Sequence, residues 1–459
     1  MRGNPDKVFL ELFIITLLIV WSPFKLLAYV LPFGLIAYYI IRTNSGVTFI
    51  RFTVVVLLFI IVSLFWCFQS LIIGEDYILQ NNIISFITYG SFIFLIVMMH
   101  FKTDNHTSYL YFIKIFLIGE SILGLGQIII FTLLRGINFD GASGDTVQGT
   151  INILSFLDPG VNFNNPIFSV NIIILLFFYT PYMLIKSKSY FTFLVGILAL
   201  FFASVLHVVM TAFISIFIIT FVFYINYISK KTLYVSAGIF LLLATLLPLL
   251  YYLQPNNFAL IEHYYEKITK FQNPKAVITY KVFAEMPTES PRIFTGLGLG
   301  QFTSRASLIG TGRYFSDFLN PNPVLPIFEN QMSDQFREKV YPLWYDYETN
   351  VSTYGGSSMS KPYYSILSLV TELGFILFTC LLLLFLRFIL QLRSYFLNTH
   401  NPILKRYYAM SIAILTLFIF LISLIENYLE VTQAIFLGVF LGIVFNPLRK
   451  DNNENPPNT

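Results

Sequence analysis

The sequence predicts an all-α polytopic membrane protein with about 12 transmembrane helices and one long extracytoplasmic loop before the last three helices. Three observations lead to this fold class. The chain is 56% hydrophobic and only 11% charged, whereas soluble chains carry about 25% charged residues. Apolar runs of roughly 20 residues, the length that spans a bilayer, recur along it. One long polar segment, 253–362, interrupts these runs late in the chain.

Each apolar run is interpreted as one transmembrane helix. The stretch 189–228 is too long for one span and is divided around Ser204–His207. The predicted spans are 8–22, 24–41, 49–72, 79–100, 109–134, 167–185, 189–206, 208–228, 232–252, 363–389, 405–426 and 432–447. They define an N-terminal bundle (1–252), the loop (253–362), three C-terminal spans (363–447) and a cytoplasmic tail (448–459).

Charges at the ends of the spans predict the orientation of the chain, because basic residues are retained on the cytoplasmic side. One set of alternating connections is basic: Arg42, Lys102, Lys186, Lys188, Lys230, Lys231, Arg393, Lys405, Arg406, Arg449 and Lys450. The opposite connections are mostly acidic: Glu75, Asp76, Asp140, Asp145, Asp158, Glu426 and Glu430, with His207. Both termini are therefore expected in the cytoplasm and the long loop outside it. Lys25 and Arg135 run against this pattern.

Composition excludes several classes of function. The net charge of +4 does not indicate a nucleic-acid partner, because the basic residues lie mostly at the ends of spans. Cys67 and Cys380 both lie in apolar runs and provide no disulfide framework. No HExxH or clustered His/Asp pattern is present, so neither a metal site nor a cofactor is predicted. Because the long loop is expected outside the cytoplasm, an enzyme with its site there must use substrates that arrive already activated. The alternative function is transport.

The centre of the polar loop carries two kinds of phosphate-binding candidate. Gly296, Gly298 and Gly300 do not form a GxGxxG fingerprint, but glycines let backbone amides approach a polyanion. Arg292, Arg305 and Arg313 lie close by, and a guanidinium matches phosphate oxygens. The alternatives are a tight loop folded onto the membrane, and arginines that contact lipid headgroups or the acidic residues of the loop itself.

Polar side chains within or beside the spans give further candidates. Glu120 lies within a span, where a carboxylate is expensive, and Gln127 follows seven residues later on the same helical face. The alternative is a polar clamp between spans. His207 could act as a base or a phosphate donor, or could simply satisfy a nearby carbonyl. Glu372 is expected to face the interior of the bundle.

These features resemble the O-antigen polymerase and O-antigen ligase superfamily of bacterial envelope enzymes. The resemblance rests on three short motifs: the run Pro291–Phe302, with its GLGLG core; the stretch Tyr363–Gly374, which ends in Glu-Leu-Gly; and Asn165-Pro166 before a span. Ligases of this family carry a histidine eleven residues before the last glycine of the second motif. Tyr363 stands there in this chain. The resemblance therefore favours a polymerase over a ligase.

The resemblance implies a metal-independent glycosyltransferase in the bacterial inner membrane. It would join undecaprenyl-diphosphate-linked oligosaccharide repeat units into an O-antigen, capsule or exopolysaccharide, with a chain-length regulator protein as a further partner. The cations proposed for the diphosphate are Arg292, Arg305 and Arg313, with His207 as a weaker choice. Glu372 is the first choice for a catalytic base, ahead of Asp158 and Glu120.

Other residues and other functions stay open. Tyr363 and Tyr364 are further substrate-binding candidates, although an aromatic belt would also place tyrosines there. The loop aromatics Tyr314, Phe315, Trp344 and Tyr345 would stack on sugars or form the loop's own core. The alternatives to a polymerase are a ligase, which transfers glycan to a lipid or protein acceptor, and a flippase for lipid-linked glycan. A glycosyltransferase that uses lipid-phosphate sugars is disfavoured, since the first external connection is too short for its acidic residues.

Overall fold

The computed structural model describes residues 4–103, 106–136, 146–157, 165–187, 190–202, 206–224, 248, 251, 262, 265–290, 292–316, 318–323, 325–350 and 359–448. Within these ranges the regular structure is helical. The N-terminal helices are α1 Pro5–Val20, α2 Lys25–Thr43, α3 Gly46–Ile73, α4 Leu79–Thr88, α5 Gly90–Met98, α6 His106–Arg135, α7 Asn165–Tyr182, α8 Tyr190–Phe202 and α9 Leu206–Tyr224. The polar loop holds α10 Pro274–Tyr280, α11 Met286–Glu289, α12 Arg292–Thr295, α13 Arg305–Gly310 and α14 Tyr341–Thr349. The chain closes with α15 Ser365–Leu397, α16 Ile403–Ile422 and α17 Thr432–Val444.

Several of these helices suit a lipid bilayer. Among the described residues, seven are long and apolar enough to cross a membrane: α2, α3, α6, α7, α9, α15 and α16. Helices α4 and α5 meet at a 57° bend and make an eighth if they form one span. The predicted span 79–100 is therefore a bent pair. The predicted span 232–252 lies outside the described residues, apart from Pro248 and Tyr251, so the number twelve stays a prediction.

The last helix lies in the centre of the bundle. Helix α17 packs against α1, α5 and α7, and Phe440 on α17 stacks with Phe94 and contacts Phe9 and Phe13. A helix that is apolar on all sides must be buried or face lipid. Helix α17 is buried, whereas only 11% of the most apolar window of α3 is buried. These exposed apolar helices identify a membrane protein.

The polar loop forms a second, smaller core at one end of the bundle. Its apolar side chains pack with the start of α15: Ile278, Val282, Met286, Ile293, Leu297, Phe302, Leu308, Phe336, Val340, Trp344, Tyr347, Tyr363, Tyr364, Ile366, Leu367 and Val370. The loop is thus a folded unit seated on α15. It places polar side chains against the ends of helices that are far apart in the sequence.

Candidate functional site

The glycine-rich segment and the Glu-Leu-Gly motif are in direct contact. Helix α15 is kinked at Gly374, whose φ is 84° and ψ is 158°. The kink frees backbone carbonyls that a straight helix would use. The amide of Leu297 donates to the carbonyl of Thr371 (3.0 Å), and the amide of Gly298 donates to the carbonyl of Glu372 (3.0 Å). The two motifs that were singled out separately therefore form one structural unit.

The Glu372 carboxylate is enclosed by the same segment. Its Oε2 accepts a hydrogen bond from the amide of Gly300 (2.7 Å), and its Oε1 accepts from the amides of Phe302 (2.9 Å) and Ser304 (3.2 Å). The side chain is fully buried. Buried carboxylates need such donors. In this arrangement Glu372 anchors the loop, and an acceptor hydroxyl does not reach it.

The glycines are needed for contact with the protein itself. Gly296, Gly298 and Gly300 all have positive φ values, between 79° and 100°. A Cβ atom on Gly296 would lie 2.5 Å from the carbonyl oxygen of Glu372, and one on Gly300 would lie 2.4 Å from that of Asn81. These close approaches explain the glycines without a bound phosphate. The amides of Gly298 and Gly300 already donate within the protein.

The three candidate arginines occupy different surroundings. Arg292 is buried, pairs with Glu75, and donates to the Ser70 hydroxyl (2.8 Å). Arg313 donates to the carbonyl of Phe318 and lies over the rings of Phe318 and Tyr341. Only Arg305 of the three borders the group of charges described next.

Arg305 is held from both sides. Its backbone amide donates to the fully buried Glu430 carboxylate, and its Nη1 donates to the Tyr29 hydroxyl (2.9 Å). Its guanidinium carbon lies 5.1 Å from the centre of the Tyr314 ring. The guanidinium therefore projects toward α2, where Lys25 lies within electrostatic range of it.

A lysine–glutamate pair completes this group. Lys361 Nζ lies 2.6 Å from Glu426 Oε1, and both side chains are partly exposed, at 25% and 16%. Lys275 Nζ donates to the carbonyl of Ile425, next to Glu426. We call Lys25, Lys275, Arg305, Lys361 and Glu426 the cationic site. It contains four basic side chains and one carboxylate, and three of the four, Arg305, Lys275 and Lys361, lie within electrostatic range of Glu426.

Local structure explains why these residues meet. Asn273 caps α10 by accepting from the amide of Lys275 (2.9 Å), and its side-chain amide donates to the Ser360 hydroxyl (3.2 Å). This one buried side chain fixes Lys275 beside the segment that carries Lys361. Helix α16 ends at Ile422. The turn after it is bound to α15, since the Ser365 amide donates to the carbonyl of Glu426 (3.3 Å).

The charges in the site change one another's protonation. Burial alone would raise the pKa of the Glu426 carboxyl, but Lys361, Arg305 and Lys275 lower it to about 2. Burial would likewise lower the pKa of Lys361, yet Glu426 and neighbouring tyrosines hold it well above its usual value. For Lys275, burial dominates and Lys361 adds to it, so its pKa falls to about 7 despite Glu426. At neutral pH, Glu426 is ionised, Lys361 is charged and Lys275 is poised between its two forms.

His207 also lies at this site. Its Nε2 is 3.4 Å from the Tyr428 hydroxyl, and it lies within electrostatic range of Glu426 and Lys275. Of the predicted site residues, Arg305 and His207 therefore both lie within electrostatic range of Glu426. Tyr363 and Tyr364 border the site as well, because the Lys361 and Lys275 ammonium groups lie 5.9 and 5.5 Å from their respective ring centres.

Glu120 performs a different task. Its carboxylate accepts hydrogen bonds from the amide (2.9 Å) and the hydroxyl (2.7 Å) of Thr150. On the same face, Gln127 accepts from the amides of Gln148 and Gly149 (both 2.9 Å) and donates to the carbonyl of Gly149 (3.0 Å). The pair is a polar clamp, which holds the segment 146–157 against α6. Asp158 lies outside the described residues.

Four residues of the cationic site were not among the sequence candidates, namely Lys25, Lys275, Lys361 and Glu426, and neither was Glu430, which binds the amide of Arg305. One signal was present, since Lys25 runs against the distribution of positive charge along the chain. Lys361 and Glu426 carried no such signal, because they are 65 residues apart and only the fold pairs them. Among the described residues, no group of three or more His, Cys, Asp or Glu side chains is arranged to hold a metal ion.

The chain was compared with protein-family models, with curated proteins and with solved structures, and none of the three comparisons gives a match. The resemblance to the O-antigen polymerase and ligase superfamily therefore rests on the motifs of the sequence alone.

Proposed function

We propose that this protein is a membrane glycosyltransferase that joins diphosphate-linked oligosaccharide repeat units, and that its cationic site binds the diphosphate. The observation that carries the proposal is the imbalance of charge at that site. Three basic side chains, Lys361, Arg305 and Lys275, act on the Glu426 carboxylate next to apolar helices, and Lys25 lies within electrostatic range of Arg305. Such a concentration of positive charge, with the Arg305 side chain itself buried, is unfavourable unless an anion compensates it. A diphosphate supplies two or more negative charges and many hydrogen-bond acceptors.

The chemistry assigns separate tasks to these residues. Transfer breaks the bond between the anomeric carbon and a diphosphate oxygen, and forms a bond from that carbon to the acceptor hydroxyl. Negative charge develops on the leaving diphosphate, where Arg305 and Lys361 would stabilise it. The hydroxyl loses its proton, which the released diphosphate takes up, because the second pKa of a terminal phosphate is about 6.

Glu426 replaces Glu372 as our choice for the residue that faces the acceptor hydroxyl. It is ionised and partly exposed, whereas Glu372 is fully buried and accepts three backbone amides. Because its pKa is about 2, Glu426 is a weak base. It would orient the hydroxyl through a hydrogen bond and stabilise the positive charge that develops on it.

The proposal includes the membrane arrangement that the charges of the sequence predict. About 12 spans, cytoplasmic termini and an extracytoplasmic loop would put the cationic site at the outer face of a bacterial inner membrane. Glu75, Glu426 and Glu430 would lie on that side, and the basic connections on the other. Activated, lipid-linked substrates are available there without nucleotides.

A deletion strain of the source bacterium tests the function. Its surface glycans would be separated on a gel, beside the parent strain and the strain complemented with the intact gene. A polymerase predicts loss of the long ladder while single repeat units remain attached to their final acceptor. Unattached chains on the lipid carrier would instead indicate a ligase, and single lipid-linked units retained in the cytoplasm would indicate a flippase.

A further inference from the structure

A second site lies inside the helical bundle, away from the loop. A cavity of about 350 Å³ is enclosed by α7, α8, α9 and α16. Its walls are almost entirely apolar, with Leu176 on α7, Leu200 on α8, Ala212 on α9 and Ile414 on α16. A cavity with such walls does not hold ordered water, so its natural occupant is a hydrocarbon.

The lining of the cavity extends along the axes of the helices. On α9 its lining extends from Val209 to Tyr224, a distance of about 22 Å at 1.5 Å per residue. This is most of the roughly 30 Å of a hydrocarbon core. At the far end, Tyr224 and Tyr407 line it. The shape suits a single extended chain.

On α9 the lining begins at Val209, and on α16 it ends at Ile414, 12 residues before Glu426, so one end of the cavity is directed toward the cationic site. Val209, at that end, follows His207 by two residues, or about 3 Å of helix rise. His207 borders Tyr428 and lies within electrostatic range of Glu426 and Lys275. Along the side of the cavity, the lining residues Leu184, Ile197 and Phe213 are exposed by 37% or more. A hydrocarbon chain in the surrounding lipid can therefore enter between the helices.

We infer that this cavity holds the hydrocarbon tail of the lipid whose diphosphate lies at the cationic site. The inference rests on the proposed function and adds the location of the lipid tail to it. One elongated molecule, with an anionic head and an apolar chain, fits both features at once. Burial of the chain would contribute to affinity in proportion to its apolar area.

The test measures affinity as a function of chain length, with the full-length protein in nanodiscs. The probes are geranyl diphosphate, which has a short chain, and heptaprenyl diphosphate, which has a long one. Ala212→Trp fills the cavity, while Ile214→Trp, on the exposed face of the same helix, is the matched control. We expect Ala212→Trp to lower the affinity for heptaprenyl diphosphate by about tenfold or more. The affinity for geranyl diphosphate should stay unchanged. Ile214→Trp should change neither affinity.

A second readout identifies the source of the chain. Heptaprenyl diphosphate with a diazirine at its tail should label peptides of α7 or α9, and Ala212→Trp should abolish the label. A photoactivatable phosphatidylglycerol is tested in the same way. If it labels these peptides equally and heptaprenyl diphosphate does not displace it, ordinary membrane lipid fills the cavity and the inference is overturned. An unchanged affinity of Ala212→Trp for heptaprenyl diphosphate would overturn it as well. If Ala212→Trp does not fold, Ser411→Leu, which also fills the cavity, is measured instead.

Two further variants separate this inference from the proposed function. Arg305→Gln and Lys361→Gln should each lower the affinity for both probes, since each probe carries a diphosphate. If neither variant weakens either probe, the proposed diphosphate site is wrong, and the inference about the tail falls with it. If both variants weaken both probes while Ala212→Trp changes nothing, the diphosphate site stands and only the tail site is rejected.

Discussion

The amide of Gly300 donates a 2.7 Å hydrogen bond to the Glu372 carboxylate, 72 residues further along the chain. This bond joins the glycine-rich segment of the loop to the kink of α15. It also starts a series of amides, continued by Phe302 and Ser304, that surrounds the same carboxylate. The next amide, that of Arg305, donates instead to the Glu430 carboxylate. Two buried carboxylates thus fix the backbone that presents the Arg305 guanidinium to the cationic site.

Replacing Glu372 should therefore destabilise the protein. Glu372→Gln puts a side-chain NH₂ group against backbone donors, and each buried amide left without an acceptor costs about 1–3 kcal/mol. Thermal unfolding in detergent should show a clearly lower midpoint than for the unmodified protein. Glu338→Gln, at an exposed position of the same loop, is the control and should unfold like the unmodified protein. A Glu372→Gln variant with an unchanged midpoint would refute the anchoring role.

Gly300 should tolerate no side chain. Alanine at a φ of 79° costs about 1–2 kcal/mol for backbone strain alone, and its Cβ would also meet the carbonyl oxygen of Asn81. We expect Gly300→Ala to unfold at lower temperature and to be cut faster by protease in the loop. Gly34→Ala, at a helical position with nothing within 4 Å of the added Cβ, should be neutral or stabilising. Equal stability of the two variants would contradict this account.

Part of this arrangement was foreseeable from sequence. The glycine-rich run, the Glu-Leu-Gly motif and the shared face of Glu120 and Gln127 were all recognisable as patterns. Their partners were not, because hydrogen bonds between residues 72 apart depend on how the loop folds. The sequence around Glu372 likewise does not reveal the three backbone amides that its carboxylate accepts. Without them, Glu372 was expected to act as a base. The pairing of Lys361 with Glu426 also required the fold.

The clamp on α6 gives a prediction about local order. Gln127→Ala removes the side chain that binds both amides and carbonyls of the segment 146–157. Hydrogen exchange at the amides of Gln148 and Gly149 should accelerate by about 5- to 30-fold, as a loss of about 1–2 kcal/mol of local stability requires. Ile129→Ala, on the exposed side of the same helix, should leave exchange unchanged. Unaltered exchange in Gln127→Ala would mean that other contacts hold this segment.

Binding at the cationic site should depend on pH through Lys275. Burial lowers the pKa of this lysine to about 7, so part of the population is neutral at neutral pH. A bound diphosphate favours the charged form, and binding should therefore take up protons. Affinity for geranyl diphosphate should fall as the pH rises through about 7, and the calorimetric enthalpy should vary with the ionisation enthalpy of the buffer.

Lys275→Met should bind more weakly and should lose most of this proton uptake. Lys270→Met, at an exposed position five residues earlier in the same loop, should keep both the affinity and the uptake of the unmodified protein. If proton uptake is the same in all three proteins, a group other than Lys275 titrates on binding.

Glu426 should affect binding and turnover in opposite directions. Its negative charge opposes an anionic ligand, so Glu426→Gln should bind geranyl diphosphate more tightly. Turnover should nevertheless fall by a factor of about 100 or more if the carboxylate orients the acceptor hydroxyl. Glu338→Gln serves as the control in a transfer assay with purified protein and lipid-linked repeat units. A Glu426→Gln variant that binds more weakly and transfers normally would exclude this role.

The affinity of geranyl diphosphate for the purified protein tests the central claim most directly. It should be measured for the unmodified protein, for Arg305→Gln and Lys361→Gln, and for Arg387→Gln as a control on the exposed surface of α15. We predict saturable binding that each of the first two variants weakens by about tenfold or more and that Arg387→Gln leaves unchanged. No binding to the folded protein, or equal binding by all four proteins, would contradict a diphosphate site at Arg305 and Lys361.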